Sequence, residues 1–124
     1  VCLENMMPRN GFGVEPSEFD SIFGRFPTLQ FTLDTGHAHL GGNGKARLQE
    51  LLKRFGGRIG HVHLSDNRGL QDDHFPLGFG TINFKRLAKG LKDFGYDGTV
   101  TFEVFDEDRR LLGESRDLWC KLVD

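Results

Sequence analysis

The stretch IGHVHLS, residues 59–65, decides the fold. Side chains along an extended strand alternate between two faces. Val62 and Leu64 therefore share one face, and His61, His63 and Ser65 share the other. The alternation recurs in three further runs. In Leu29 to Asp34, Phe31 and Leu33 oppose Thr32 and Asp34. In Thr99 to Phe105, Val100, Phe102 and Val104 oppose Thr101 and Glu103. In Val1 to Glu4, Leu3 opposes Cys2 and Glu4.

Each run is followed by a polar or glycine-rich stretch and then by helical periodicity. Leu48, Leu51, Leu52 and Phe55 fall at i, i+3, i+4, i+7, and Phe84, Leu87, Ala88 and Leu91 repeat that spacing. Both predict amphipathic helices. Asn43 and Asn83 are the expected N-caps, and Gly56 and Gly95 the expected helix ends. Ser17 to Phe26 predicts a shorter helix. The last segment predicts a helix with Leu111, Leu118 and Leu122 on one face and Trp119 beside it. Strand–helix alternation four times over points to a parallel sheet covered by helices.

If the apolar face packs against those helices, the other face carries one metal-binding type of side chain near the carboxyl end of each strand. These are Glu4, Asp34, His63 and Glu103. One strand–helix unit takes roughly 30 residues. The steps from 4 to 34 and from 34 to 63 match it, and the longer step from 63 to 103 holds an extra loop. Four successive parallel strands would bring the four side chains to one height on one face, the end at which barrel enzymes build their sites. A single acid or histidine at a strand end is more often structural, its needs met by a neighbour. Four in order, with no apolar exception, point to a cation. Three carboxylates and an imidazole suit Mn, Co or Mg better than a thiolate-rich zinc site does, with Zn still among the choices.

The remaining features narrow the class. At 124 residues the chain is one domain. Its formal net charge of −2 and pI near 6.2 lack the basic footprint of a dedicated nucleic-acid binder. No apolar run approaches the roughly 20 residues of a membrane helix, and nothing reads as a signal peptide. Cys2 and Cys120, far apart in sequence, are expected to be reduced thiols in a cytoplasmic protein. Val1-Cys2-Leu3 reads as the end of a strand, so further sequence is expected upstream. His61 is expected to be an interior, hydrogen-bonded histidine and His39 a loop residue. Asp72 and Asp73 are either site residues or solvated loop charges. Gly78-x-Gly80 is expected to form a tight turn rather than a phosphate cradle.

LENM at 3–6, LDTGHA at 33–38, HVHLSDN at 61–67, DDHFPLGFG at 72–80 and GYDGTVTFEV at 95–104 occur in that order. Together they resemble the xylose isomerase-like barrel superfamily, which holds sugar and sugar-phosphate isomerases, ketose 3-epimerases, inosose dehydratases and the endonuclease IV repair enzymes. The resemblance implies an α/β fold, the carboxyl-terminal half of a (β/α)8 TIM barrel, with residues 1–124 forming a single domain. It implies one divalent cation on Glu4, Asp34, His63 and Glu103, with Glu4 and Glu103 as the acid–base pair. His37 falls on a substrate-contacting histidine. Arg68 lies near a substrate-binding arginine, one residue closer to His63 than that pattern has it. A second substrate-binding glutamate of the epimerases falls near Asn10, a departure from the ketose 3-epimerase pattern.

Three functions are thereby expected in competition. The first is metal-dependent isomerisation or epimerisation of a sugar or sugar phosphate, by proton removal next to a carbonyl. The second is an endonuclease IV-like zinc phosphodiesterase on abasic DNA. For it, His37, Asp72 and His74 would serve a second or third metal, and two more histidines would come from the barrel's first half. The third is an inactive half barrel that needs its amino-terminal half or a second copy.

Overall fold

The alternation read from the sequence is realised in the computed structural model, which describes residues 1–124. The strands are β1 (Cys2–Glu4), β2 (Gln30–Asp34), β3 (Ile59–Leu64) and β4 (Thr99–Phe102). The helices are α1 (Pro16–Arg25), α2 (Thr35–His39), α3 (Gly44–Phe55), α4 (Phe84–Asp93) and α5 (Arg110–Val123). The four strands form one sheet in the order β1-β2-β3-β4, every pair parallel.

Phe31, Leu33, Val62 and Leu64 are wholly buried, as their shared face requires. The helices α1, α3 and α4 cover that face. Phe19, Phe23, Phe31 and Phe55 pack there with ring centroids 5.2 to 6.0 Å apart, mostly edge to face, the arrangement ring quadrupoles favour. The predicted apolar faces of α3 and α4 are the buried ones.

Several local expectations are corrected. Asn83 caps α4 by accepting the Arg86 N–H at 3.0 Å, but Asn43 makes no cap bond and accepts instead from the Arg47 guanidinium at 2.8 Å. Gly95 takes the left-handed conformation expected just beyond a helix (φ +69°). Gly56 does not; it runs right-handed into a single 3₁₀ turn, Gly56–Arg58. It is still the C-cap at which α3 ends, as expected, and a Cβ there would run into the Phe94 ring, so the position also serves a close approach. On α5 the buried residues are Ser115 and Trp119, while Leu118 is exposed. Ser115 Oγ accepts the Leu77 N–H at 3.1 Å, which turns that face inward and leaves Leu118 outside it. His39 is not a loop residue. It ends α2, is 3% exposed, and its Nε2 lies 2.8 Å from Thr81 Oγ1.

The strand register shows how the four side chains come to one height. Asp34 pairs with His63, but Glu4 pairs with Thr32 and His63 with Thr101. Asp34 thus lies two residues beyond the partner of Glu4, and Glu103 two beyond the partner of His63. The four side chains run diagonally across the ladder rather than in one row. A barrel requires this, because its strands tilt from the axis, and a level ring must advance about one residue per strand for eight strands of shear eight.

The face away from the helices is polar. His61 stands there with Nδ1 2.6 Å from Thr99 Oγ1 and Nε2 2.9 Å from Thr101 Oγ1. It is hydrogen-bonded as expected but only half-buried, because no opposing strands cover it. Both cysteines are free and exposed. No helix is long and apolar enough to cross a membrane.

Candidate metal centre

Asp34 ends β2 and begins α2, and its carboxylate is divided between the two. Oδ1 accepts the His37 N–H at 2.8 Å and so caps α2, a role for which a short acidic side chain is well suited. Oδ2 is buried with no hydrogen-bond partner. A buried orphan of this kind calls for an explanation. It lies 3.5 Å from His63 Nδ1, and His63 Nδ1 lies 3.1 Å from Glu4 Oε1. One donor atom each from Glu4, Asp34 and His63 fall within 4.8 Å of one another. Glu103, just past β4, brings Oε1 to 3.4 Å from His63 Nδ1 without joining that group. The four residues singled out by alternation therefore meet, as a group of three with Glu103 at its rim.

The electrostatics match a cation site. Burial raises the Glu4 pKa; the neighbouring His63 lowers it and the like charge of Asp34 raises it further. The His63 imidazole is raised to about 8, chiefly by Asp34, against burial and with help from Glu103 and Glu4. Three carboxylates around one imidazole leave negative charge in excess. With carboxylate oxygens and an imidazole nitrogen to offer, the group fits a divalent ion.

A second cluster adjoins the first. His37 Nδ1 donates to the Asn5 carbonyl at 3.0 Å, which leaves Nε2 turned toward Asp72. Nε2 is 3.5 Å from Asp72 Oδ2, and His74 Nε2 is 3.0 Å from the same oxygen. His74 has φ +52°, a conformation uncommon for a non-glycine residue. It is held by the Glu103 carbonyl, 2.9 Å from Nδ1, and by stacking on Phe105 at 4.3 Å. Burial pulls the His37 pKa down, but Asp72, Asp34 and the Asn5 carbonyl outweigh it and raise it to about 9. His37 in turn holds Asp72 below the usual carboxylate range. Asp73 is on the same loop but takes no part in these contacts.

Two expected site residues stand apart. Arg68 is exposed, its guanidinium 5.3 Å from the Phe75 ring centroid, and no ion pair joins it to either cluster. Asn10 is exposed in the short 3₁₀ turn Pro8–Asn10. The Gly78 and Gly80 amides both donate to Asp66 Oδ2, at 3.0 and 2.9 Å, so this turn encloses an internal carboxylate. Asp66 also accepts from Asn67 and Ile82 through Oδ1. Asp66, Asn5 and Thr35 were not singled out in the sequence. Each is fully buried, and each is polar where the alternation calls for an apolar side chain. That was the available signal.

Residues 1–122 match the family described as xylose isomerase-like TIM barrel. An uncharacterized protein of Methanocaldococcus jannaschii is 39% identical over 106 residues, covering 83% of this chain and 36% of that one. Inosose dehydratase of Klebsiella pneumoniae is 34% identical over 123 residues, covering 84% of this chain and 40% of its own. Among solved structures, a D-tagatose 3-epimerase-like protein superposes with a TM-score of 0.78 at 32% identity, over 98% of this chain and 45% of that one. The chain thus spans less than half the length of these relatives. With four parallel strands, their helices outside and a match along nearly its whole length, the chain belongs to the xylose isomerase-like TIM barrel family.

Proposed function

We propose that the chain contributes the metal centre and the acid–base pair of an isomerase or epimerase acting on a sugar or sugar phosphate. The observation that carries this reading is the convergence of Glu4, Asp34 and His63 around the orphan Asp34 Oδ2, with Glu103 beside them. Glu4, Asp34, His63 and Glu103 would hold one divalent cation, Mn, Co, Mg or Zn. When bound, the cation supplies a Lewis acid that polarises a carbonyl. Glu4 and Glu103 approach His63 from opposite edges of the sheet, β1 and the end of β4. Two carboxylates so placed can flank a carbon between them, one removing its proton and the other returning it. The relatives, an inosose dehydratase and a D-tagatose 3-epimerase-like protein, fit chemistry next to the carbonyl of a polyhydroxylated substrate.

The test is solvent exchange. The intact protein, loaded with Mn or Co, should exchange carbon-bound hydrogen of a ketose, sugar phosphate or inosose in deuterated water. Glu4→Gln and Glu103→Gln should each abolish it. No exchange with any substrate of a broad panel would sink the reading.

A second reading rests on the Asp72 cluster. His37, Asp72 and His74 offer two imidazole nitrogens at one carboxylate oxygen, with Asp72 Oδ1 buried and unpartnered and His74 strained in place. Such outliers concentrate at functional sites. A second cation there would favour the zinc phosphodiesterase acting on abasic DNA. One ion per barrel supports the isomerase; three zinc ions with cleavage of an abasic duplex support the nuclease.

We also infer that another four-stranded half completes the barrel, supplied either by the same polypeptide or by a second copy. Unpaired edges at β1 and β4 and the polar open face support this, since exposed parallel edges invite pairing. Sedimentation separates the outcomes: a well-behaved monomer of this chain alone argues against pairing of two copies.

A further inference from the structure

The sheet ladder ends where the metal-binding side chains begin, and two buried polar side chains continue it. The β1–β2 ladder stops at Glu4 opposite Thr32, two residues short of Asp34. From there Asn5 takes over. Its Oδ1 accepts the Asp34 N–H at 2.8 Å and its Nδ2 donates to the Asp34 carbonyl at 2.9 Å, so one carboxamide replaces both bonds of a missing peptide. The β2–β3 ladder stops at Asp34 opposite His63. Here Thr35 takes over. Its hydroxyl is shared between the His63 and Ser65 carbonyls, at 3.2 and 3.1 Å, and accepts the Ser65 N–H at 3.3 Å. Both residues are wholly buried.

Each of the two immediately follows a proposed ligand: Asn5 follows Glu4, and Thr35 follows Asp34. Strand alternation turns them to the helix-covered face, where an apolar side chain would be the ordinary choice. A polar group buried there is costly unless its bonds are made. The side-chain hydrogen bonds of both residues go to backbone groups at or beside a proposed ligand: Asp34 for Asn5, His63 and Ser65 for Thr35.

We propose that Asn5 and Thr35 are positioning residues for the cation, lacing Glu4 to Asp34 and Asp34 to His63 beyond the end of the ladder; this rests on the metal reading above. Neighbouring strands lie about 4.8 Å apart, whereas donors around one ion must be held to within about 0.5 Å of their working geometry. Strand ends without ladder bonds would splay by more than that. The lacing restrains the backbone on both sides of Asp34, the residue common to both contacts.

The experiment compares wild type, Thr35→Val and Thr35→Ser in the intact protein. Cobalt(II) affinity is read by calorimetry, cobalt visible absorption reports coordination geometry, and thermal unfolding in chelator reports the fold. Valine keeps the shape of threonine and loses the hydroxyl. The expected result is a loss of cobalt affinity of about 10- to 100-fold for Thr35→Val, the range seen when groups that orient metal ligands are removed. The visible band should change with it, and Thr35→Ser should restore both. If Thr35→Val fails to fold, Thr35→Ala is read in the same way. A variant that melts earlier in chelator but binds cobalt with unchanged affinity and spectrum would overturn the proposal, leaving Thr35 a purely structural residue. Absence of cobalt uptake by wild type would overturn the metal reading itself, a distinguishable failure.

Discussion

At the scale of single residues, Asp34 carries the densest set of roles. One oxygen caps α2 and the other faces His63. Replacement with asparagine separates the two, because asparagine caps a helix about as well as aspartate. Asp34→Asn should therefore keep stability in chelator within about 1 kcal/mol of wild type, and relief of crowded negative charge offsets part of any loss. The same variant should take up no divalent ion in a cobalt titration. Asp34→Ala should additionally lose the cap, about 1 kcal/mol more in a denaturant melt. Asp66 makes the opposite prediction. Four backbone N–H groups, from Asn67, Gly78, Gly80 and Ile82, end on its buried carboxylate. Asp66→Ala strands them, and breaking a buried, charge-assisted network costs on the order of 3–5 kcal/mol. Chemical denaturation should register that loss whether or not metal is present.

At the scale of elements, the helix and strand assignments followed from periodicity, and their ends from caps that tertiary contacts can override. Asn83 caps through its side-chain oxygen, whereas the Asn43 oxygen accepts from the Arg47 guanidinium and makes no cap bond. The Arg47 guanidinium is also bound by Glu15 and by the Leu40 carbonyl, none of them close to it in a local reading. The start of α1 carries its own signature. Glu18 reaches back to the Glu15 and Val14 N–H groups at 2.7 and 2.9 Å. The Glu15 N–H bond, foremost, holds the Glu18 carboxyl below its usual pKa. Its stabilising contribution is thus fully present above the unfolded glutamate pKa and is lost as pH falls through the lower folded value. Glu18→Ala should cost about 1 kcal/mol at neutral pH. Melts repeated on either side of the carboxyl range should show the gap between wild type and variant closing as the solution becomes acid.

At the scale of the molecule, the proposed cation would cross-link β1, β2 and β3 at the open end of the sheet. Binding to the folded state alone stabilises it by about 2.7 kcal/mol at 100 times Kd. For a chain of this size that is a rise in Tm on the order of 10 °C or more. Thermal scans of the intact protein with Mn or Co and with chelator should differ by that amount. Asp34→Asn should remove the difference. Equal melting temperatures for wild type under both conditions would speak against a cation bound across the three strands.

The amino-acid sequence by itself determined the strand–helix order, the two faces of each strand and the identity of the four convergent side chains. All of these follow from short periods of two and 3.6 residues, and those periods are local. Tertiary structure decided what depends on distance across the sheet. It made the line of these four side chains diagonal, because the tilt of barrel strands is a property of the sheet and not of one strand. It separated Glu103 from the tight group of three, and turned Trp119 rather than Leu118 into the core. It also gave Asn5, Thr35 and Asp66 their purpose. A polar residue on an apolar face looks like an error in the pattern until the backbone groups that meet it, 12 to 30 positions away, are in place.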